Sequence, residues 1–209
     1  EEIGDKCPVV VLSGPSHAEE VGRHIPTGVV AAADDLKTAQ FVQDVFMNPR
    51  FRVYTSDDKV GTEICAALKN VIALCAGCCD GMGYGDNTKA LLMTRGLAEM
   101  ARLGVALGGK KETFTGLAGV GDLIATCGSS LSRNYMFGAN LGKGLTVEEA
   151  TKVSNGVAEG VPTTDAVVAL GDQLDVPTPL AYQMSRVLNE GIPCSEMLAG
   201  LFGHEVTGE

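Results

Sequence analysis

The chain opens with short apolar runs and changes to long helical periodicity after residue 56. PVVVLS (8–13), PTGVVAAA (26–33) and RVYT (52–55) are short, rich in strand-favouring residues and bounded by Gly, Pro or Ser, as buried strands are. Two helical stretches lie between them. One is brief, Ala18–Val21, after Gly14-Pro15 ends the first strand. The other is Asp34–Met47, with Leu36, Ala39, Phe41, Val42, Val45 and Phe46 at helical spacing. From Ser56 onward no segment reads as a strand. Helices are predicted over 57–79, opened by Ser56 or Asp57, over 87–107, ended by Gly108-Gly109, and over 116–127. A helix over 133–141 has Ser132 as its N-cap, and Thr146-Val147-Glu148-Glu149 has the form of a capping box. Helices over 163–174, 180–189 and 195–202, each flanked by Pro or Gly, complete the pattern. The fold class is therefore mostly α: an all-helical domain over 57–209, preceded in 1–56 by a β-rich stretch with two short helices. The opening, EEIGDKCPVVVL, has no Met and runs almost directly into a strand. It reads as the start of a piece of a longer protein.

Composition narrows the function. With 45% hydrophobic and 20% charged residues, the 209-residue chain is globular and long enough for a real core. A net charge of −10 argues against wrapping nucleic acid or lying on an anionic membrane. Aromatics at 5%, with no Trp, leave no stacking platform for bases. The 27 glycines point to close helix packing and many turns. Seven cysteines, at 7, 65, 75, 78, 79, 127 and 194, lie mostly in apolar runs and read as reduced thiols of a cytoplasmic protein. No signal-peptide pattern is read. The longest apolar run, 64–79, has 16 residues and contains Lys69 and Asn70, too short and too interrupted for a membrane span.

The chemistry lies in isolated polar groups inside apolar helices. In ICAALKNVIALCAGCC (64–79), Lys69 shares a helix face with Ala66, Ala73 and Ala76. A small-residue face lets another backbone approach, and an ammonium taken out of water is costly unless paired. Such a Lys suits acid–base work or anion binding. A structural ion pair, or a stem snorkelling to solvent, explains the same pattern. Asp122 is the one charged residue between Phe114 and Ser132, with Thr126 one turn later. It fits a substrate or Lys partner, and equally a helix-start carboxylate favoured by the dipole. Ser132-Arg133-Asn134 sits at a predicted helix start, where free N–H groups, the dipole and a guanidinium fork favour an anion. An ordinary cap with a solvated Arg fits as well.

Other signals weigh less. Gly81-Met82-Gly83-Tyr84-Gly85 follows a helix, not a strand, so it reads as an interhelical turn instead of a phosphate loop. Cys75 and Cys78 form a mid-helix CxxC without a second pair, and His17, His24 and His204 are scattered, so no metal is expected. Gly14-Pro15-Ser16-His17 follows a strand, where α/β sheets bind ligands, although a simple turn would look the same.

Taken together, GPSHAEEV (14–21), ALKN (67–70), GYGDNTKALLMTRGLAEM (83–100), GLAGVGDLIAT (116–126), SRN (132–134) and NGVAEGVPTT (155–164) closely resemble the bacterial-type NAD(P)-dependent sn-glycerol-3-phosphate dehydrogenases, in order and spacing over nearly the whole chain. The resemblance implies a dinucleotide-binding sheet followed by a helical substrate domain, here with residues 1–56 as the tail of the first and 57–209 as the second. It implies interconversion of glycerol 3-phosphate and dihydroxyacetone phosphate with NAD or NADP, in supply of glycerophospholipid precursors. Lys69 becomes the catalytic proton acceptor. Gly14, Ser16, Lys69, Asn70, Asp122, Thr126, Ser132, Arg133 and Asn134 become substrate contacts, and Ala18, Arg133, Val157 and Glu159 cofactor contacts. The family's strand-GxGxxG-helix unit has no counterpart here, so the 209 residues alone are expected to be inactive. A small phosphorylated substrate, no nucleic acid, no membrane span and a homodimer complete the expectation. Two alternatives stay open: a related hydroxy-acid dehydrogenase, and a non-catalytic helical dimerisation module.

Overall fold

The structure is a computed structural model and describes residues 7–154 and 156–202. Within it the chain divides into two compact units, 1–66 with 104–125, and 67–103 with 126–209.

The first unit carries a three-stranded sheet. Strand β1 (Val11–Ser13) pairs antiparallel with β2 (Thr27–Ala32), and β2 pairs parallel with β3 (Phe51–Ser56), in the order β1-β2-β3. All three predicted strands are present, the first shorter than PVVVLS suggests. A short helix, α1 (Ala18–Gly22), lies between β1 and β2. Parallel strands need a crossover, and α2 (Leu36–Phe46) supplies it, capped by the Asp35 side chain accepting from the Thr38 N–H at 3.0 Å. Val29, Ala31 and Val53 form the core under this sheet, with Val42 of α2 packed on it. The outer face of α2 keeps Phe41 and Val45 more than 60% exposed, so the helix buries one stripe only.

Helix α3 (Lys59–Gly81) starts two residues later than Ser56 as cap would require, and one later than Asp57 would. Asp58 takes that role. Its Oδ1 accepts from the Gly61 N–H at 2.9 Å, and its Oδ2 accepts from the Lys110 N–H at 2.8 Å and from the Thr113 hydroxyl. A carboxylate with only 4% exposure is held by those donors, which serve a helix start and a distant loop together. The loop leads into α5 (Lys111–Phe114), a turn that periodicity does not reveal. The single helix predicted over 116–127 is instead a π-helical turn, Leu117–Gly121, followed by α6 (Asp122–Cys127). Leu117 of that turn packs on Gly28 of β2.

All the regular elements among the described residues of the second unit are helices. It takes in the later part of α3, most of α4 (Asp86–Ala106), and α7 (Arg133–Gly142), α8 (Val147–Val153), α9 (Gly160–Leu174), α10 (Pro179–Asn189) and α11 (Cys194–Phe202). The predicted Thr146–Glu149 capping box forms in full. Gly81–Gly85 is the interhelical turn expected, with Gly83 at φ +79. Asp80, at the end of α3, accepts from Lys89 Nζ of α4 at 2.9 Å and from the Tyr135 hydroxyl of α7 at 2.6 Å, pinning three helices. Helix α3 is longer than the apolar run 64–79 and ends two residues beyond the predicted helix. By length and composition it is apolar enough to cross a membrane, but 67% of that window is buried inside the protein, as in the core helix of a globular fold.

Helices α3 and α7 run in the same direction at very close range. Gly77 faces the Tyr135 carbonyl, Gly138 the Leu74 carbonyl, Gly81 the Ala139 carbonyl and Gly142 the Cys78 carbonyl. A Cβ at any of these four would come within 2.3 Å of backbone oxygen. Small residues therefore set the distance between the helices. The register is constant: Leu74 matches Gly138, and Cys78 matches Gly142, one turn further along both.

Glu99 of α4 is 4% exposed and accepts from the Leu180 N–H at 2.8 Å and the Ala181 N–H at 3.1 Å. It caps the first turn of α10, where Pro179 begins the helix. Burial raises its pKa, against the lowering effect of the two N–H bonds. The folded state thus holds the proton more tightly than the unfolded chain. The Glu99 contribution to stability is fully present below the ordinary value of 4.5 for this group and is lost as pH rises through the raised value. Glu99→Gln should flatten that slope just above pH 4.5 in urea denaturation, while lowering stability by one lost charge-assisted bond.

Candidate active site

Lys69 sits in the interior of α3, half-buried, and Asn70 follows it. The register of α3 and α7 extends one turn earlier. Asn70 Oδ1 accepts from Asn134 Nδ2 at 3.0 Å, so Asn70 matches Asn134 as Leu74 matches Gly138. By the same offset, Lys69 falls level with Arg133, the first residue of α7. The parallel glycine-lined contact thereby sets Lys69, by its position along α3, level with the first residue of α7.

That N-terminus is built as predicted. The Ser132 side chain is 6% exposed and accepts from the Tyr135 N–H at 3.2 Å. The remaining first-turn N–H groups and the dipole leave a place that favours an anion. Asn134, 8% exposed, spends its other amide atom on a third segment: its Oδ1 accepts from the Gly160 N–H at 2.8 Å. Gly160 starts α9, and a Cβ there would come within 2.7 Å of the Asn70 carbonyl, so only glycine allows this approach. Arg133 is exposed, and its guanidinium lies alongside Gly156, whose Cβ would be 3.1 Å from Nη1. Gly156 has φ +105. Segment 156–160 therefore wraps the start of α7. Val157, 68% exposed, and Glu159, also exposed, present their side chains outward from it. Asn155 lies outside the described residues, as does His204.

The second unit thus brings Asn70, Asn134 and the start of α9 together and lays Gly156 against Arg133, and it also carries Lys69, Ser132, Val157 and Glu159. Thr126, 6% exposed, also belongs to it. Asn134→Ala would strand the Gly160 N–H. It should cost about 1–3 kcal/mol for that unpaired donor. Chemical denaturation of this variant measures that loss.

In the first unit, Gly14 is buried after β1 at φ +143, with its α-carbon against Gly28 and Val29 of β2. Ser16 Oγ donates to the Gly14 carbonyl at 2.9 Å, and both Ser16 and Ala18 are exposed. Asp122 is 2% exposed, at the junction of the π-helical turn and α6. The His17 ring contacts the Ala125 carbonyl at 3.2 Å. It ties the Gly14–Ala18 loop to the helix that carries Asp122. His17 counted as a scattered histidine in the sequence. Its place inside GPSHAEEV was the available signal. The π-helical turn also went unread, and such turns often mark functional positions.

Among the described residues no group of three or more His, Cys, Asp or Glu is arranged to hold a metal. The Gly14–Ala18 loop, the Arg133 helix start and the exposed segment 156–159 are the places with donors suited to phosphates of a dinucleotide or a small substrate.

The chain is similar to proteins of one known family. Residues 58–199 match the family described as NAD-dependent glycerol-3-phosphate dehydrogenase C-terminus, and residues 1–39 match the corresponding N-terminus. The chain belongs to the NAD-dependent glycerol-3-phosphate dehydrogenase family. It is 68% identical to the glycerol-3-phosphate dehydrogenase [NAD(P)+] of Bifidobacterium longum over 198 residues, which is 95% of this chain and 60% of that protein. It is 55% identical over 201 residues to the Moorella thermoacetica protein of the same name, covering 96% of this chain and 60% of the relative. Glycerol-3-phosphate dehydrogenase from Coxiella burnetii superposes with a TM-score of 0.91 at 41% identity, over 94% of this chain and 61% of that structure. The Saccharomyces cerevisiae enzyme does so with a TM-score of 0.82 at 27% identity, over 91% and 58%. The chain therefore spans about three fifths of the length of its relatives.

Proposed function

We propose that the complete protein interconverts sn-glycerol 3-phosphate and dihydroxyacetone phosphate with NAD or NADP, supplying glycerophospholipid precursors in the cytoplasm. The observation that carries this reading is the register of α3 and α7, which sets Lys69 level with the Ser132–Asn134 helix start. Oxidising a secondary alcohol needs a base for the hydroxyl proton, and a phosphate monoester needs a fixed cationic, N–H-rich cradle. Lys69 accepts the hydroxyl proton, and in reverse its ammonium polarises the ketone and returns the proton. Arg133 and the α7 N-terminus hold the phosphate. The nicotinamide, when bound, supplies the hydride acceptor. Gly14, Ser16, Asn70, Asp122, Thr126, Ser132 and Asn134 contact the substrate, and Ala18, Val157 and Glu159, with Arg133, the dinucleotide. Residues 1–56 serve as the tail of the cofactor domain and 57–209 as the substrate domain, and the enzyme works as a homodimer.

Arg133→Ala in the complete enzyme tests the phosphate cradle. The loss of a charge-assisted contact should remove about 1.5–3 kcal/mol from kcat/KM, chiefly as a higher KM for glycerol 3-phosphate. Kinetics equal to the parent enzyme would take Arg133 out of the site.

A further inference from the structure

Helix α2 turns an apolar stripe outward. One side of it meets the sheet, with Ala39 fully buried and Val42 packed on the core of Val29, Ala31 and Val53. On the outer side Phe41 is 68% exposed and Val45 62%. Single exposed apolar residues are ordinary, but two that stand one turn apart on a helix make a patch. Lys37 and Asp44 border it, and both are exposed. With 3.6 residues per turn, Lys37, Phe41, Asp44 and Val45 all fall within an arc of about 100°. Among the described residues neither Lys37 nor Asp44 takes part in an ion pair within the chain. We propose that this stripe is the two-fold interface of the homodimer, with α2 packed antiparallel on α2 of a second copy.

The stripe is complementary to itself. Lys37 and Asp44 border the same edge of it, equally far from the point midway between Gln40 and Phe41. A two-fold axis through that point sets Lys37 of each copy opposite Asp44 of the other, so one residue pair makes two ion pairs. The two Phe41 rings meet at the axis, with Val45 beside them, and supply the apolar contact. A parallel arrangement would set Lys37 against Lys37 and Asp44 against Asp44. Charge therefore selects the antiparallel one and fixes its register. An 11-residue helix gives an interface at the small end of the range, so the dimer dissociates on dilution. That the protein is a homodimer rests on the reading above, whereas the face assigned here rests on α2.

Sedimentation velocity of the complete protein over a dilution series tests the assignment. The parent should show a monomer–dimer equilibrium that weakens as salt screens the exposed pairs. Lys37→Glu and Asp44→Lys each turn both ion pairs into like-charge contacts, and each should raise the dissociation constant by about tenfold. Lys37→Glu combined with Asp44→Lys rebuilds both pairs in reverse, and should return the constant to within about threefold of the parent. Phe41→Glu brings two carboxylates together at the axis and should leave monomer throughout. These side chains face solvent in the single copy, so the thermal melts of the monomers should coincide. Single variants that associate like the parent, or a double variant no tighter than the single ones, would overturn the proposal. So would a Phe41→Glu protein that melts lower while its mass stays that of the parent, which would put another segment of the longer protein on the stripe. A parent that is monomeric at every concentration would overturn the homodimer as well. Nucleotide oxidation with dihydroxyacetone phosphate, measured on the same samples, decides the activity separately.

Discussion

Replacing Lys69 by Met in the complete enzyme is expected to lower turnover by about 10²–10⁴-fold while the protein stays folded. Met fills nearly the same volume and keeps a flexible, unbranched stem at this half-buried position. It cannot carry a proton. The hydroxyl of glycerol 3-phosphate would then have to lose its proton to water as hydride leaves, and the ketone of dihydroxyacetone phosphate would meet no acid. Substrate affinity should fall less than turnover, because the anion cradle at Ser132–Asn134 is untouched. The readout is kcat set against KM in both directions, with a thermal melt to confirm the fold. Turnover within a few-fold of the parent would remove Lys69 from the chemistry.

The largest expected effect on stability is that of Gly138→Ala. The new methyl would sit 2.0 Å from the Leu74 carbonyl oxygen, which belongs to helix backbone and cannot swing aside. Helices α3 and α7 would have to separate, and the cost should be about 3 kcal/mol, the upper end for overpacking. Separation also stretches the Asn134–Asn70 bond, so KM for the phosphate substrate should rise with it. Gly85→Ala is the matched control, because nothing lies within 4 Å of its added methyl. That change should stay within about 0.5 kcal/mol. Urea denaturation of the two variants compares them directly. Equal stabilities would mean that the helices are not held at glycine distance.

The strands and most helices were legible because each carries a local signal. Ser132 and the Thr146–Glu149 box satisfy their own helix starts, so their chemistry is written within four residues. Asp58 was not legible as a cap, because its donors come from Gly61 and from Lys110 and Thr113 far along the chain. Glu99 escaped notice for the same reason, since it caps α10 from another helix. The small face around Lys69 pointed to a close backbone, and a close backbone is present, but one face over, along Leu74, Gly77 and Gly81. Periodicity tells which residues share a face, whereas the partner and its register are set by packing. The π-helical turn before Asp122 has no composition signal at all, because GLAGVG reads equally well as an ordinary helix start.

In the proposed reaction the complete protein reduces the ketone of a phosphorylated three-carbon substrate. The most direct measurement follows nucleotide absorbance in the purified complete enzyme with NADH or NADPH. It compares dihydroxyacetone phosphate, unphosphorylated dihydroxyacetone and a 2-keto acid. The account predicts steady oxidation of at least one nucleotide with dihydroxyacetone phosphate, with far weaker rates for the other two. Oxidation driven by the keto acid but not by dihydroxyacetone phosphate, or by none of the three, would contradict it.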